Sequence, residues 1–548
     1  MPQNTVADYV LRQLAIWGVK SVYGVSGDAI LPLLDAISKH PDLTFIGVKH
    51  EAAAAMMASA EAKLLGRLGV CTATSGPGIA NLLNGLADAK TDQVPVLAIT
   101  GQVDSYNLST NYKQYINEAQ LLSTVVSFSG LVTSDESCND VLTKAMRTAI
   151  SCGTAVHVGF TRDVWSKTTD EEARLPEPYL FTKAQSSPEV IENAISMLNA
   201  AKKPAILVGR GIKMARTVLL ELAEKWQAGI CQSLGAKGML PNAHRLVLGG
   251  LGEGGSAAST TLLHEADTIL ISGSTWWPRV YVPPTAKIVQ IDAVPGNIGR
   301  NMPVAYGAVG DLAVLLPYIK DRLVKKERQQ WLERLDFLKD EWLNTISQET
   351  AAEGSPVPPG FLFKTLQEQV AADAVITLDT GDHTVWFNRI FSGSSEQDVI
   401  FSGNWRTMGF GLPAALSAQI AQPQRQVVAV VGDGGFGQTL AEFLTAVRYN
   451  LPITIVVVNN HYLAMEKDRM QLASMNYETS GLTNPDFAEY ARVCGGRGWR
   501  VESSDQLPDA LETALRTPTP CIVQVITTAP VFPGIQDHFQ RMQEQKKQ

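Results

Sequence analysis

Long apolar runs are absent from this sequence. No stretch of its 548 residues approaches the ~20 consecutive apolar residues that a membrane-spanning helix needs. Met1–Leu14 is a mixed, amphipathic segment rather than an apolar one, so we expect no signal peptide. The tail, His538–Gln548, is polar and lacks an apolar face that would hold it on a membrane surface. We therefore expect a protein without a membrane anchor.

Metal-binding cysteine spacing and strong net charge are also absent. The formal net charge of −8 is small for this length and argues against a nucleic-acid partner. Hydrophobic residues make up 45% and charged residues 18%, which is typical of a well-packed globular chain, here too long for one core. The six cysteines, mostly in apolar surroundings, predict reduced thiols and a cytoplasmic protein; they are Cys71, Cys138, Cys152, Cys231, Cys494 and Cys521.

The strongest pattern in the chain lies in residues 427–463. Val427–Val431 and Ile453–Val458 are apolar runs without alternation, which predicts buried parallel strands. Thr439–Tyr449 between them has apolar residues at helical spacing. A right-handed crossover would bring the ends of both strands, Gly432-Asp433-Gly434-Gly435 and Asn459-Asn460, to the same edge of the sheet.

Asp433 and Asn460 are 27 positions apart, yet this crossover makes them neighbours. A carboxylate, an amide oxygen and main-chain carbonyls are the hard oxygen ligands that Mg²⁺ and Ca²⁺ prefer. The glycines let backbone N–H groups approach an anion, and the following helix adds its positive end. The unit predicts a site for a metal ion and a diphosphate; the alternative is an ordinary doubly wound sheet with glycine-rich turns.

The Gly-Asp-Gly and Asn-Asn pair, in this order and at this separation, resembles the signature of thiamine-diphosphate (ThDP) enzymes. The resemblance implies that Mg²⁺ is bound by Asp433, Asn460 and the main-chain oxygen of Tyr462. It also implies contacts to ThDP from four neighbouring residues: Gly434, Gly435, His461 and Leu463.

Alternating strand and helix patterns over residues 1–175 predict a first doubly wound domain. Glu51 follows a predicted strand and precedes a helix, where a glutamate most often pairs with the helix dipole. The resemblance implies a second role, because the family has a His-Glu pair at this place. Glu51 would hydrogen bond to N1′ of the aminopyrimidine and favour the imino tautomer, whose N4′ takes the C2 proton.

Ser75-Gly76-Pro77-Gly78 resembles the pyruvate-using branch of the family, although a Gly-Pro-Gly turn alone would be merely structural. Val25-Ser26-Gly27-Asp28 resembles the family's first turn, near the substrate. The resemblance implies ThDP contacts from Gly27, Ser75 and Gly76. In Tyr112-Lys113-Gln114-Tyr115, Gln114 matches the family's substrate-facing glutamine. Lys113 and Tyr115 replace the usual aromatic and acidic neighbours, so Lys113 is either a solvated loop charge or a partner for an acidic substrate.

Residues 186–330 predict a second α/β domain, with Gly209-Arg210-Gly211 and Ser274 after predicted strands. The region resembles the central domain of flavin-containing ThDP enzymes. The resemblance implies FAD contacts from six residues: Gly209, Gly211, Gly254, Ser274, Asp292 and Asp311. Relatives without flavin keep such a domain empty or with ADP, so both alternatives stay open.

In the third domain, Asp379-Thr380-Gly381-Asp382-His383 resembles the family's first diphosphate loop, which implies contacts from Gly381, Asp382 and His383. Thr407–Ala415 resembles the acetolactate-synthase form of the next loop. A methionine at an apolar position usually fills core space, but the resemblance implies that Met408 wedges between the two rings of ThDP. The main-chain carbonyl of Arg406 would accept from N4′. Ala464–Asp468 departs from relatives and leaves substrate specificity open.

The predicted fold class is α/β, with three doubly wound parallel-sheet domains. They are a pyrimidine-binding domain (1–175), a central domain (186–330) and a diphosphate- and metal-binding domain (355–530). Because the first and third domains each supply half a site, the resemblance implies sites between chains, in a homodimer or homotetramer.

The central domain most resembles that of pyruvate oxidase and the quinone-dependent pyruvate dehydrogenase. This implies a flavoprotein oxidoreductase that decarboxylates pyruvate through a hydroxyethyl-ThDP enamine and passes the electrons to FAD. The alternative is carboligation of two 2-oxo acids, as in acetolactate synthase. A third hypothesis, a catalytically silent ThDP-binding subunit, conflicts with the presence of Glu51, Asp433 and Asn460.

Overall fold

Three separate six-stranded sheets make up the protein. The computed structural model describes residues 4–177, 184–275, 279–536 and 540. Every pairing between the named strands is parallel, so the predicted class of three doubly wound α/β sheets is confirmed. The predicted polar tail lies, apart from Gln540, outside these residues. No helix within them is both long and apolar enough to cross a bilayer.

The first sheet has the strand order β2-β1-β3-β4-β6-β5. Its strands are β1 (Ser21–Gly24), β2 (Thr44–Gly47), β3 (Gly69–Ala73), β4 (Val96–Gln102), β5 (Ser129–Val132) and β6 (Ala155–Thr161). The accompanying helices are α1 (Val6–Ile16), α2 (Leu31–Lys39), α3 (Glu51–Leu65), α4 (Pro77–Thr91), α5 (Glu118–Leu122) and α6 (Cys138–Cys152). Helix α3 therefore begins at Glu51 itself, after a cap in which the His50 side chain accepts from Ala52 N.

The central sheet has the order β12-β11-β10-β7-β8-β9, the order 3-2-1-4-5-6 of dinucleotide-binding folds when read from its other edge. Its strands are β7 (Pro204–Val208), β8 (Gly229–Gln232), β9 (Val247–Gly250), β10 (Thr268–Ser272), β11 (Lys287–Asp292) and β12 (Tyr306–Val309). Its helices are α7 (Pro188–Ala200), α8 (Arg216–Trp226), α9 (Ala257–Glu265) and α10 (Leu312–Arg322). Helix α11 (Gln329–Ala351) leads from it to the third sheet.

The third sheet, β14-β13-β15-β16-β18-β17, repeats the order of the first. Its strands are β13 (Val375–Leu378), β14 (Asp398–Phe401), β15 (Val427–Gly432), β16 (Thr454–Asn459), β17 (Arg497–Val501) and β18 (Cys521–Ile526). Its helices are α12 (Pro359–Gln369), α13 (Asp382–Ile390), α14 (Gly411–Ala421), α15 (Asp433–Thr439), α16 (Phe443–Arg448), α17 (Ala464–Leu472), α18 (Phe487–Val493) and α19 (Leu507–Leu515).

Within Thr439–Tyr449, where a helix is predicted, the chain forms a 3-10 turn at Leu440–Glu442 followed by the short helix α16, and a further short helix, α15, precedes the turn. Helix α15 begins at Asp433 and includes the glycine run, although glycine disfavours helices. Tight packing explains why glycine occurs in this helix: a Cβ at Gly435 would lie only 2.3 Å from Asp379 Oδ2. Tertiary contacts thus outweigh local propensity at this turn.

The first and third sheets share one hydrophobic core. Helix α3 packs against α14, and apolar residues from both helices belong to one buried cluster. Both helices are rich in alanine, and almost all residues of α3 are buried. This explains why α3 shows no polar face in the sequence: it is surrounded by protein on all sides.

A buried ion cluster joins the same two domains. Lys63 Nζ lies 2.7 Å from carboxylate oxygens of both Asp88 and Asp92 and donates to the Phe401 carbonyl at 2.9 Å. The Asp92 carboxylate accepts from the main-chain N–H groups of Gly403 and Asn404, each at 2.7 Å. The cluster thereby attaches α3 and α4 to the loop that follows β14.

A second buried polar cluster lies beneath the loop that contains Gln114. Glu118 accepts from Thr100 Oγ1 at 3.2 Å, and its other oxygen lies 3.7 Å from His157 Nε2. Burial raises the pKa of Glu118 to about 8, and burial lowers the pKa of His157 to about 3. At neutral pH the pair is therefore largely uncharged. The loop is attached nearby, where Gln102 Nε2 donates to the Ile116 carbonyl at 3.0 Å.

We predict that Lys63→Met destabilises the protein strongly. It keeps the length of the side chain but leaves two buried carboxylates without their cation, which typically costs about 3–5 kcal/mol. The measurement is the midpoint of urea denaturation followed by circular dichroism. As the control, Lys39→Met removes an ion pair whose side chains are 70% and 66% exposed, and it should cost less than about 1 kcal/mol. Equal losses in the two variants would contradict the role of the cluster.

We predict that Glu118→Gln makes stability less dependent on pH. Because the folded-state pKa of about 8 exceeds the ordinary value of 4.5, the folded chain holds this proton more tightly than the unfolded chain. The stabilisation is complete at acid pH and is lost as the pH rises through 8, by up to about 1.4 kcal/mol per pH unit. Melting temperatures at pH 5 and pH 8 should therefore differ less in Glu118→Gln than in wild type, whereas the exposed-site control Glu136→Gln should resemble wild type. Parallel pH profiles for all three proteins would refute the prediction.

Candidate active site

The structure places the predicted metal-site residues at one edge of the third sheet. Gly432 of β15 is in register with Val458 of β16, so Asp433 and the Asn459-Asn460 pair leave the sheet side by side. Asp433 is buried, and its Oδ2 accepts from His461 N at 2.9 Å and from Asn484 Nδ2 at 2.7 Å. Burial raises the pKa of Asp433, and these hydrogen bonds act in the opposite direction.

Asn460 and Tyr462 form the turn beside Asp433. Asn460 Oδ1 accepts from Tyr462 N at 3.0 Å, and His461 between them adopts a φ of +61°. The turn therefore gathers a carboxylate, a side-chain amide and a main-chain carbonyl, a donor set that suits Mg²⁺. In the part of the chain that the structure describes, no group of three or more His, Cys, Asp or Glu residues offers a competing metal site.

Gly434 and Gly435 follow Asp433 and pack closely against neighbouring side chains. A Cβ at Gly434 would lie 2.7 Å from Leu463 Cδ2 and 3.3 Å from Met408 Cε. A Cβ at Gly435 would meet the carboxylate of Asp379. A side chain at either position would force these neighbouring side chains to shift, and the distances show that Leu463 and Met408 both lie against the metal turn.

The Gly381-Asp382-His383 turn lies beside the metal turn. A Cβ at Gly432 would lie 2.9 Å from His383 Nδ1. Asp382 Oδ1 and His383 Nε2 are buried without a hydrogen-bond partner. Burial, and secondarily the charge of Asp468, raises the pKa of Asp382 to about 8, while burial lowers the pKa of His383 to about 4. Buried polar atoms without partners next to a glycine-lined turn fit a bound polar group such as a diphosphate.

Asp379 fixes the loop that contains Met408. Its carboxylate accepts from Gly409 N at 3.0 Å and from Phe410 N at 3.3 Å. Arg406 adopts a φ of +57°, and Thr407 Oγ1 accepts from Asn84 of α4 at 2.9 Å. The loop is thus held from the third sheet and from the first domain at the same time.

The predicted residues of the first domain form a second cluster. Glu51 Oε2 accepts from Asn81 Nδ2 at 2.9 Å, and Glu51 Oε1 would lie 3.4 Å from a Cβ at Gly78. A Cβ at Gly76 would lie 2.9 Å from the Gln114 carbonyl, and one at Gly27 would lie 2.4 Å from Thr74 Cβ. Gly27, Glu51, Gly76 and Gln114 therefore belong to one edge of the first sheet, with Ser75 buried between them.

Glu442 connects the two clusters within the chain. Among the described residues, no hydrogen bond or ion pair joins Glu51 directly to Asp433 or Asn460. Instead, Glu442 Oε1 accepts from Lys49 N at 2.9 Å and from His50 N at 3.0 Å. This buried carboxylate of the third domain therefore holds the turn that presents Glu51.

Sequence reasoning missed Glu442, Asn484, Asp379 and the contact of Asn81. Asp379 and Glu442 had a usable signal, since each is an acid beside an apolar run and needs a buried partner. Asn484 has no such local signal, because it reaches Asp433 from 51 positions away through the fold.

A cavity of about 800 Å³ lies at the switch point of the central sheet, where β7 and β10 meet. Five of the six residues predicted to contact FAD line it: Gly209, Gly211, Ser274, Asp292 and Asp311. Gly254 is not part of the lining and lies against Val385 of α13. A Cβ at Gly209 would lie 2.2 Å from the Gly273 carbonyl, so the backbone walls approach closely here. Residues of the first and third domains complete the lining, among them Asp92, Gln93 and Arg406.

Three family models of thiamine pyrophosphate (ThDP) enzymes match the chain. The N-terminal TPP binding domain matches residues 4–121, the central domain residues 191–319, and the C-terminal TPP binding domain residues 379–525. They fall on the first, second and third sheets in that order.

Similarity to whole proteins extends over nearly the entire chain. The thiamine pyrophosphate-containing protein YdaP of Bacillus subtilis is 37% identical to this chain. The match covers 97% of this chain and 94% of YdaP. The large subunit of Escherichia coli acetolactate synthase isozyme 2 is 32% identical over 95% of both chains. An acetolactate synthase of Mycobacterium bovis is 31% identical over 94% of this chain and 86% of its own. This chain belongs to the thiamine pyrophosphate enzyme family.

Proposed function

We propose that this protein is a Mg²⁺- and ThDP-dependent carboligase that decarboxylates pyruvate and joins the remaining two-carbon unit to a second 2-oxo acid. The observation behind the proposal is the position of Met408 against Gly434 of the metal turn, in a loop of acetolactate-synthase form. Support also comes from the two relatives named acetolactate synthase, which match over at least 94% of this chain.

The third domain would bind the diphosphate end of the cofactor. Asp433, Asn460 and the Tyr462 carbonyl would ligate Mg²⁺, as hard oxygen donors do. Buried Asp382 and His383 have unpartnered polar atoms that can hydrogen bond there. Gly381, Gly434, Gly435, His461 and Leu463 would form the surrounding wall. When bound, ThDP supplies the carbanion that attacks the 2-oxo acid and the electron sink that accepts the charge left by CO₂.

The first domain would supply the proton relay and the substrate contacts. Glu51, oriented by Asn81, would share a proton with N1′ of the pyrimidine, and the Arg406 carbonyl would accept from its amino group. Gln114 would donate to the substrate, with Gly27, Ser75 and Gly76 completing the wall of the pocket. Lys113 is exposed beside Gln114, where it can attract a negatively charged 2-oxo acid.

The central cavity favours a second candidate function. Its place at the switch point of a 3-2-1-4-5-6 sheet, its close glycine turns and its size suit a dinucleotide, so we propose FAD as its occupant. A bound FAD permits oxidative decarboxylation of pyruvate to acetate, with two electrons passed to an external acceptor. It is equally compatible with carboligation, because that reaction transfers no net electrons.

We propose that the site is completed by a second chain. Domains 1–175, 186–330 and 355–530 would then pair crosswise in a homodimer or a dimer of dimers. The separate Glu51 and Asp433 clusters within one chain support this arrangement.

We predict that the purified protein, given Mg²⁺, ThDP and pyruvate alone, releases one CO₂ for every two pyruvates consumed and forms acetolactate. The product is measured as acetoin after acid treatment, and CO₂ with labelled pyruvate. If acetate forms instead, together with stoichiometric reduction of an added dye, the result would reject carboligation and support the oxidative function. No CO₂ from any 2-oxo acid would refute both.

Glu51→Gln provides the matched control for that reaction. It removes the relay but keeps the shape of the side chain, so CO₂ release should fall by about 10²–10⁴-fold, the usual contribution of acid–base catalysis. ThDP binding, followed by quenching of tryptophan fluorescence, should persist. Glu136→Gln, at an exposed position of the same domain, should keep the wild-type rate. Full activity of Glu51→Gln would show that the relay is assigned to the wrong residue.

We predict that two inactive variants restore activity when mixed. If sites lie between chains, a dimer of one Glu51→Gln chain and one Asp433→Asn chain contains one intact site. Unfolding and refolding an equal mixture should then return about a quarter of wild-type activity, since half the dimers are mixed and half their sites are intact. Activity that stays at the level of the separately refolded variants would place each site within a single chain.

A further inference from the structure

Asp92 and Gln93 lie where the central cavity borders the loop that contains Met408, and three residues of that loop also line the cavity: Gly403, Asn404 and Arg406. Asp92 and Gln93 are consecutive residues at the end of α4, where Asp92 caps the helix and Gln93 adopts a φ of +55°. Both line the central cavity. The Gln93 side chain contacts the central domain and the Asp92 side chain contacts the third domain. A single peptide bond joins the two residues.

Gln93 is joined to the cavity wall of the central domain. Its side-chain amide donates to Asn297 Oδ1 at 2.9 Å and accepts from Asn297 Nδ2 at 2.8 Å. The same Asn297 Nδ2 donates to Asp292 Oδ1 at 2.9 Å. Asn297 is buried, and Asn297 and Asp292 both line the cavity. One side chain therefore separates Gln93 from the carboxylate that faces the occupant.

Asp92 is joined to the loop of the third domain. Its two carboxylate oxygens accept from Gly403 N and Asn404 N, and Asn404 Nδ2 donates back to the Thr91 carbonyl at 3.1 Å. A Cβ at Gly403 would lie 2.8 Å from Asp92 Oδ1, so the loop backbone is in direct contact with the carboxylate.

Hydrogen bonds within the loop connect the residues on either side of Gly403 and Asn404. Thr407 N donates to Ser402 Oγ at 3.0 Å, and Thr407 Oγ1 lies 3.0 Å from the Met408 carbonyl. These bonds join Gly403 and Asn404 to Met408 within one short hydrogen-bonded loop.

We propose that Asp92 and Gln93 couple the two sites, so that an adenine nucleotide in the central cavity tightens the binding of ThDP in the active site. This inference depends on the ThDP site of the proposed function. The hydroxyls of a nucleotide ribose can donate to the Asp292 carboxylate, and an Asp292 held by its ligand orders Asn297 and Gln93 in turn. Because coupling between sites is reciprocal, ThDP tightens nucleotide binding by the same factor.

The test uses protein from which any FAD has been removed. It measures the Kd of ThDP by calorimetry in the presence of Mg²⁺, with and without saturating ADP, which shares its adenosine and diphosphate with FAD. For the wild-type protein, ADP should lower the Kd of ThDP by about fivefold or more, the range of ordinary allosteric coupling. ThDP should lower the Kd of ADP by the same factor. In Gln93→Ala both ligands should still bind, but the two ratios should fall to about one.

Two further variants test whether the coupling depends on the bridge formed by Asp92 and Gln93 or on the cavity as a whole. Thr275→Ala changes a cavity-lining residue away from Asp92 and Gln93, and it should keep the wild-type ratio. Gly403→Ala places a methyl group against the Asp92 carboxylate, and it should also remove the coupling. Because Gly403 lines the cavity as well, the Kd of ADP alone is measured for this variant. Circular dichroism confirms that each variant is folded, so either bridge variant alone is sufficient for the test.

Three results would overturn the proposal: no binding of ADP, a wild-type Kd of ThDP that ADP leaves unchanged, or coupling that survives in either Gln93→Ala or Gly403→Ala. A protein that binds ADP but no ThDP would instead refute the proposed function. Because the readout is binding, neither conclusion depends on which reaction the protein catalyses.

Discussion

The packing of α3 against α14 determines where the candidate active-site residues lie. These alanine-rich helices belong to one core shared by the first and third sheets. Each begins at a turn of the candidate active site, α3 at Glu51 and α14 just after the Met408 loop. Because close-packed interiors tolerate little change in volume, the positions of the two turns are set by the same contact.

Polar groups reinforce this contact from within the protein. Lys63, between Asp88 and Asp92, and Glu442, beneath His50, both bridge the first and third domains. Buried charges and carboxylates require partners, so these groups specify one relative position of the domains. Asp88 Oδ1, Asp382 Oδ1 and His383 Nε2 are all buried without a hydrogen-bond partner. Asp88 lies in the ion cluster with Lys63, whereas His383 lies beside the Asp433 turn, next to Asp382 in the chain.

In all three sheets the candidate site residues lie at the same edge. In each, loops at the carboxyl ends of parallel strands supply the polar groups, because ligands of open α/β sheets bind at that edge. The first edge presents Glu51, the third presents Asp433, and the central one borders a cavity of about 800 Å³. The first and third sheets share the same strand order, so one topology occurs twice in the chain.

The amino-acid sequence by itself determined the three α/β sheets and the proximity of Asp433 to Asn460. Both follow from local signals: apolar runs that form buried strands, and crossovers that bring strand ends to one edge. Only the tertiary structure decided that Glu442 holds the Glu51 turn, that Asn484 contacts Asp433, and that the glycine run begins a helix. These features depend on contacts between residues far apart in the chain. No local pattern encodes such a contact, because its energy exists only once the domains have packed.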